Sequence, residues 1–321
     1  MPGWIEVEDY VYPGGYRADA TERSRWYCSH LEAGRILYFS RPPFEFSSSD
    51  REFLTSQRRP DSAVHKNVSY RPLQNHLNGF DGSPEVKNRL SNVMREYSHH
   101  VVEFVRQFLS PYSNGYKLDF ASFRPIEEEG RALPLHKRND LLHVDAFPTR
   151  PTHGGRILRV FTNIHPEKAR VWNVGEEFPV LAQRMAREAG LDRYAAAGGT
   201  PMWGRLLGKL GAPIPNRSAY DCFMLHFHDY LKEDSAFQTG SAKTRLDFPP
   251  MATWLAYTDG VPHAVMSGQH ALEQTFIISR AALVAPEVSP IGVLEKLCAR
   301  PLAEEAGPGS TLPDDDRRQR A

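Results

Sequence analysis

Apolar and polar positions change their period several times along the chain. From Ser83 to Phe108 the residues Val86, Leu90, Val93, Tyr97, Val101, Phe104 and Phe108 recur at helical spacing, and Ser83-Pro84 reads as an N-cap followed by proline at the first helical position. The spacing predicts a long helix that buttresses one face of a sheet. Shorter helices are expected from Ser49, from Glu176 to Glu188 with Gly190 closing it, from Ser218 to Tyr230, and from Ser289-Pro290 through VSPIGVLEKLCA. Strand character is found at Ile36 to Phe39, ended by Pro42-Pro43, and at Tyr116 to Pro125, Leu141 to Ala146 and Arg156 to Asn163. It returns at Phe248 to Ala256, Pro262 to Ser267 and Gln274 to Ser279. Ala195 to Asn216, rich in Gly and Pro, reads as loop. A sheet interrupted by helices and then resumed is an α+β arrangement, mainly β with α additions.

These patterns suggest one folded unit over residues 1–302, with a helical insertion at about 167–247. Residues 303–321 carry Leu312 as their only large apolar side chain and are expected to be disordered. The length of 321 residues would allow roughly two domains or one enlarged enzyme domain. Apolar residues at 40 % are enough for a sizeable core, which excludes a disordered chain. Lys plus Arg equals Asp plus Glu at 39 each, so there is no global basic field for nonspecific nucleic-acid binding. No apolar run approaches the ~20 residues of a membrane span, and the N-terminus MPGWIEVEDY does not read as a signal peptide. A cytoplasmic protein is the expectation. Cys28, Cys222 and Cys298, odd in number and far apart, suit reduced structural thiols.

The chemistry concentrates in NDLLHVDAFPTRPTHGGR. On a strand, residues two apart share a face, so His143 and Asp145 converge on one point. A further histidine would complete the two-histidine, one-carboxylate triad that holds Fe(II) with positions left open for an organic chelate and O2. His263, in LAYTDGVPHAVMSGQ between a turn and an apolar strand, is the preferred third ligand. His226 and His228 compete from the helix that begins at Ser218. A 2-oxoacid co-substrate on such an iron needs a cation for its distal carboxylate, and an arginine fork binds carboxylate bidentately. Arg159 shares a strand face with Ile157, Phe161 and Asn163, and Arg124 sits among apolar neighbours in ASFRP. Arg124 has an alternative as a structural ion pair with an acid of IEEEGR. Between residues 124 and 170 nine Lys or Arg face six Asp or Glu, a modest excess that favours an anionic substrate.

HKNVSYRP with its Lys66, LLHVDAFPTRPTHGGRILRVFTNIHP and VPHAVMSGQHALEQTF together resemble the Kdo 3-hydroxylases, bacterial Fe(II)/2-oxoglutarate/O2-dependent dioxygenases. The similarity runs from about Gly34 to about Pro301. It implies a double-stranded β-helix core of jelly-roll type buttressed by helices. It also implies His143, Asp145 and His263 as iron ligands, and Arg159, Arg124, Arg170 and Trp172 along the 2-oxoglutarate pocket. The implied reaction is hydroxylation at C3 of Kdo (3-deoxy-D-manno-oct-2-ulosonic acid) in Kdo-lipid A. Its product is the D-glycero-D-talo-oct-2-ulosonic acid form, with succinate and CO2. Such a substrate places the enzyme at the cytoplasmic face of the inner membrane, as a peripheral protein. The separation of Asp145 and His263 by 118 residues is long for a compact dioxygenase and keeps His226 open as a ligand. Rival readings are a dioxygenase acting on protein side chains and a noncatalytic β-helix binder of sugar or lipid head groups. A hydrolytic zinc site ranks third, because HExxH and a thiolate cluster are both missing.

Overall fold

Eleven strands and eight α-helices are found among the residues that the computed structural model describes, 3–8, 20–57, 67–80, 82–200 and 215–304. In chain order the strands are β1 (Trp4–Glu6), β2 (Ile36–Phe39), β3 (Val68–Arg71), β4 (His76–Asn78), β5 (Tyr116–Arg124), β6 (Arg156–Asn163), β7 (Arg170–Val174), β8 (Thr244–Phe248), β9 (Thr253–Tyr257), β10 (His263–Ser267) and β11 (Ala271–Ile278). The helices are α1 (Ala20–Glu32), α2 (Ser48–Ser56), α3 (Pro84–Phe108), α4 (Phe178–Met185), α5 (Leu191–Ala197), α6 (Ala219–Glu233), α7 (Ser235–Gly240) and α8 (Pro290–Cys298).

Eight strands form one sheet in the order β1-β2-β9-β6-β11-β5-β3-β4, and three form a second in the order β10-β7-β8. All pairs are antiparallel except β1 with β2. Strand alternation divides the large sheet into two faces. Val68, Tyr70, Ala121, Phe123, Leu158, Val160, Leu255, Leu272 and Phe276 pack on α3 residues Tyr97, Val101, Phe104 and Phe108. This is the buttress that the helical spacing predicts. The opposite face presents Phe161 and Trp254, which pack with Trp172, Val174, Leu246 and Phe248 of the small sheet. Phe248 stacks on Trp254 with centroids 3.9 Å apart, and Trp172 meets the edges of both Phe161 and Trp254.

Serines cap the helices as the sequence suggests. Ser83 precedes Pro84 at the start of α3, Ser289 caps α8, and Ser218 with Asp221 forms a capping box on α6. Three expectations need correction. Leu141 to Ala146 forms a single bridge, His143 to His263, rather than a strand, because its neighbours bond elsewhere: Asp145 N–H donates to Thr258 O, and Val265 N–H donates to Asn139 O. Phe248 to Ala256 is two strands, β8 and β9, since Pro249 and Pro250 cannot continue a ladder. Arg170–Val174 is the middle strand of the small sheet, a strand that the alternation does not predict. Helices α4 to α7 therefore lie between two strands, with β7 before them and β8 after. Lys66, much of the Gly- and Pro-rich loop, and the tail from 305 lie outside the described residues.

Candidate metal centre

Alternation around the single bridge sorts the HVD segment. Leu142 and Val144 are buried in the helical cluster with Phe178, Phe223, Phe227 and Leu294, while His143 and Asp145 turn the other way. His143 and His263 bond reciprocally through their backbones, at 3.1 and 2.9 Å, so the two imidazoles start from adjacent backbone. Their ring centroids are 4.7 Å apart. One ligand atom from each of His143, Asp145 and His263 lies within 4.8 Å of the others.

The donor set fits a metal. His143 Nδ1 is 2.7 Å from Leu141 O, and His263 Nδ1 is 2.8 Å from Val261 O. A carbonyl only accepts, so each Nδ1 carries the proton and each Nε2 keeps its lone pair. Burial pushes the His143 imidazole well below the usual histidine range, with His263 and Lys232 adding to the effect. Burial likewise lowers His263, against the pull of Asp145. Both rings are thus neutral ligands at pH 7. Burial would raise the Asp145 carboxyl, but Arg159, His263 and His143 hold it well below the usual carboxylate range. Its Oδ2 lies 3.1 Å from Arg159 Nη2 without a well-formed hydrogen bond, leaving a buried oxygen for another partner. Two neutral nitrogens and one carboxylate oxygen suit a borderline divalent metal such as Fe(II).

A charged network surrounds the triad. Arg159 Nη1 donates to Glu273 Oε1 at 2.8 Å, and Arg124 donates to Glu273 Oε2 from Nε at 2.9 Å and Nη2 at 2.6 Å. Arg124 and Arg131 also approach Glu128, at 3.8 and 2.8 Å, and Arg170 does so at 3.5 Å while donating to Gly268 O at 2.9 Å. Glu128 in IEEEGR is the ion-pair partner foreseen for Arg124, and Glu273 is a closer one. Burial would raise both glutamates, yet their arginines hold them below the usual range. Arg170, almost fully enclosed, is pulled down by burial to about 10.

Trp172 stacks on His263 with centroids 4.9 Å apart and planes 22° apart. Of the competing histidines, His226 lies against Tyr194, whereas His228 borders the centre. The Nδ1–H of His228 donates to Val144 O at 2.8 Å, and its ring meets that of His143 edge-on. One turn further along α6, Lys232 is buried and donates to His136 O at 3.0 Å; burial lowers its ammonium to about 8. Glu273 and Lys232 were missed by motif reasoning, which placed Glu128 only within an acidic run facing Arg124. For Glu273 a signal existed, a carboxylate inside the otherwise uncharged run ALEQTFII.

Comparison with known proteins points one way. The sequence profile described as 3-deoxy-D-manno-oct-2-ulosonic acid (Kdo) hydroxylase matches residues 16–301. The chain is similar to the solved structure of the Kdo hydroxylase KdoO, a non-heme Fe(II) α-ketoglutarate-dependent dioxygenase, in complex with α-ketoglutarate and Fe(III). The identity is 34 %, the TM-score 0.81, and coverage 94 % of this chain and 98 % of that one. Structures of KdoO with cobalt(II), and with succinate and Fe(III), match at 33 % identity and a TM-score of 0.81, covering 97 % of this chain and all of theirs. No curated protein matches.

Proposed function

This chain belongs to the Kdo hydroxylase family, and on that ground together with the geometry of the centre we propose that it hydroxylates C3 of Kdo in Kdo-lipid A, using Fe(II), 2-oxoglutarate and O2. The observation that carries the reading is the convergence of His143, Asp145 and His263 with both histidine Nδ1 protons already committed to carbonyls. Two packed sheets with the triad beside their shared aromatic layer support a double-stranded β-helix core.

When bound, Fe(II) with 2-oxoglutarate and O2 supplies the oxidising power for hydroxylation, releasing succinate and CO2. His143 and His263 would hold the metal through Nε2, and Asp145 through a carboxylate oxygen. Arg159 neutralises Asp145 and Glu273 together and orients the carboxylate ligand. Trp172 fixes the plane of the His263 ring, and His228 fixes the backbone between the other two ligands. Arg159, Arg124, Arg170 and Trp172 are the residues we assign to the 2-oxoglutarate pocket; Arg159 and Trp172 touch triad residues, Arg124 shares Glu273 with Arg159, and Arg170 shares Glu128 with Arg124. His143 and His263 are buried and the Asp145 side chain is 13 % exposed, which limits the access of bulk water to the reacting centre.

We take residues up to 302 as one catalytic domain with a helical insertion, supported by Leu302, which is buried and whose carbonyl accepts from Tyr220 N–H of α6 at 2.9 Å. Among the described residues no helix is long and apolar enough to cross a membrane. A peripheral position at the cytoplasmic face of the inner membrane follows from the lipid-linked substrate. The decisive experiment is incubation with Kdo-lipid A, with and without Fe(II). Succinate release and gain of one oxygen only with metal are expected; succinate without oxygen transfer to any Kdo-bearing acceptor would reject the substrate.

A further inference from the structure

The small sheet covers only part of the large one. Its aromatic core draws on β2, β6 and β9 and includes no residue of β3, β4 or β5. At that end Val68 and Tyr70 pair with Phe123 and Ala121 and face α3, so Arg71, Phe120, Ser122 and Arg124 share the other face by alternation. This is the face on which Arg159 and Glu273 lie. Arg71, Phe120 and Ser122 are only half-buried there, and Arg71 lies on β3, the strand next to the edge strand β4.

A ladder of cations and rings crosses this face. Starting at Arg159, which touches Asp145, the guanidinium lies 5.6 Å from the Phe147 ring. Arg150 lies 4.2 Å from Phe147 and 4.2 Å from Phe120, and Arg71 lies 5.0 Å from Phe120. The last two rungs depend on a bulge, since Asp119 and Phe120 of β5 together oppose the single Thr275 of β11. Asp119 there takes an ion pair from Arg150.

The charges along the ladder are not equally compensated. Arg159 and Arg150 each have a carboxylate partner, as do Arg124 and Arg170 of the charged network outside the ladder. Arg71 has none among the described residues, and its Nε is shielded from solvent without a hydrogen-bond partner. A guanidinium packed on an aromatic face uses its π surface there and leaves its in-plane N–H groups for an oxyanion. We propose that Arg71, held on Phe120, is a substrate-binding residue that takes an oxyanion of the acidic glycolipid, a carboxylate or a phosphate, at a distance from the reacting carbon. This rests on the Kdo-lipid A reading above and extends it to a second contact, along the face from Arg159 to Arg71.

The test compares wild type, Arg71→Ala and Arg71→Lys. In Arg71→Ala the KM for Kdo-lipid A rises at least tenfold, while kcat and the KM for 2-oxoglutarate stay within twofold; Arg71→Lys recovers part of the loss. Dephosphorylated substrate and substrate with methyl-esterified Kdo identify the anion. The one that weakens wild type and leaves Arg71→Ala no worse than with the parent substrate has lost the group that Arg71 binds. Losses in Arg71→Ala that simply add to the losses from both substrate changes overturn the proposal, as does an unchanged KM. A turnover-independent arm measures equilibrium binding of a phosphorylated glucosamine disaccharide and of free Kdo to the wild-type and Arg71→Ala proteins, with circular dichroism to confirm the fold. Binding weakened by Arg71→Ala supports the site even if wild type hydroxylates no Kdo, which would instead reject the functional reading. Equal binding of both probes to both proteins overturns the site while leaving that reading intact.

Discussion

Arg159 holds two carboxylates at once, Asp145 of the triad at 3.1 Å and Glu273 at 2.8 Å. Its side chain is only 12 % exposed, so removing it takes the guanidinium from the largely enclosed Asp145 carboxylate and leaves Glu273 to Arg124 alone. Arg159→Leu is therefore expected to lower stability by about 3–5 kcal/mol, read from urea unfolding of the metal-free protein. It should also raise the 2-oxoglutarate requirement more than the sugar requirement. Arg159→Lys should restore part of both, since a point charge satisfies one carboxylate but not a fork between two. A fully stable Arg159→Leu protein would contradict the ion-pair account. For the triad, His143→Ala, Asp145→Ala and His263→Ala should each abolish metal binding and hydroxylation while circular dichroism stays native. Asp145→Ala has the further expectation of leaving Arg159 with Glu273 alone. A His263→Ala protein that retained metal and turnover would move the distal ligand elsewhere, with His228 the nearest histidine on α6.

At the scale of elements, the bend that ends β10 depends on one glycine. Gly268 has φ +130°, and a Cβ there would lie 2.6 Å from Arg170 Cγ and 3.0 Å from its Cα. Its carbonyl accepts from Arg170 Nη1, and its N–H donates to Glu127. Gly268→Ala should cost about 1 kcal/mol or more, since the backbone strain is joined by a clash with an enclosed arginine. A thermal midpoint equal to wild type would refute this. The elements most legible in the sequence were those with a local signature. Ser83-Pro84, Ser218 and Ser289-Pro290 mark helix starts because capping needs only nearby residues, and the apolar face of α3 follows from its spacing alone. The convergence of His143 and Asp145 was legible because the alternation that sends Leu142 and Val144 into the helical cluster operates even at a single bridge. What escaped was non-local. IEEEGR offers an acid to Arg124, but nothing in it announces that Glu128 will also take Arg170 of β7, nor in ALEQTF that Glu273 will join Arg124 of β5 to Arg159 of β6, and α6 is ordinary in its own pattern until folding sets His228 against Val144.

On the scale of the whole molecule, buried titratable groups and the burial of Leu302 set two expectations. Lys232 is only 3 % exposed, and burial lowers its ammonium to about 8 from an unfolded value of 10.5. Above pH 8 the unfolded chain binds the proton that the folded one has released, so this group adds stability as pH rises from 8 toward 10.5. Cys28, raised by burial to about 12, works in the opposite direction above its unfolded value of 9.0. The window from pH 8 to 9 thus isolates Lys232. The wild-type urea midpoint should rise there relative to that of Lys232→Met, and parallel curves would reject the buried-cation account. The chain end supplies the other expectation. Leu302 is 2 % exposed, packs in the cluster of α4, α6 and α8, and is fixed by Tyr220 N–H to its carbonyl and by its own N–H to Glu295 at 3.0 Å. Deleting residues 303–321 removes sequence whose one large apolar side chain is Leu312, so the midpoint of thermal unfolding should stay near that of the full chain. Leu302→Ala in the full chain should cost roughly 2–5 kcal/mol, as expected for a cavity at a closed site. A truncation before Ser289, which also removes Ile291 and Leu294, should leave the apolar faces of α4 and α6 uncovered and drive the protein into aggregates on expression. If the 303–321 deletion instead aggregated while Leu302→Ala remained native, the boundary of the folded unit would lie beyond Leu302.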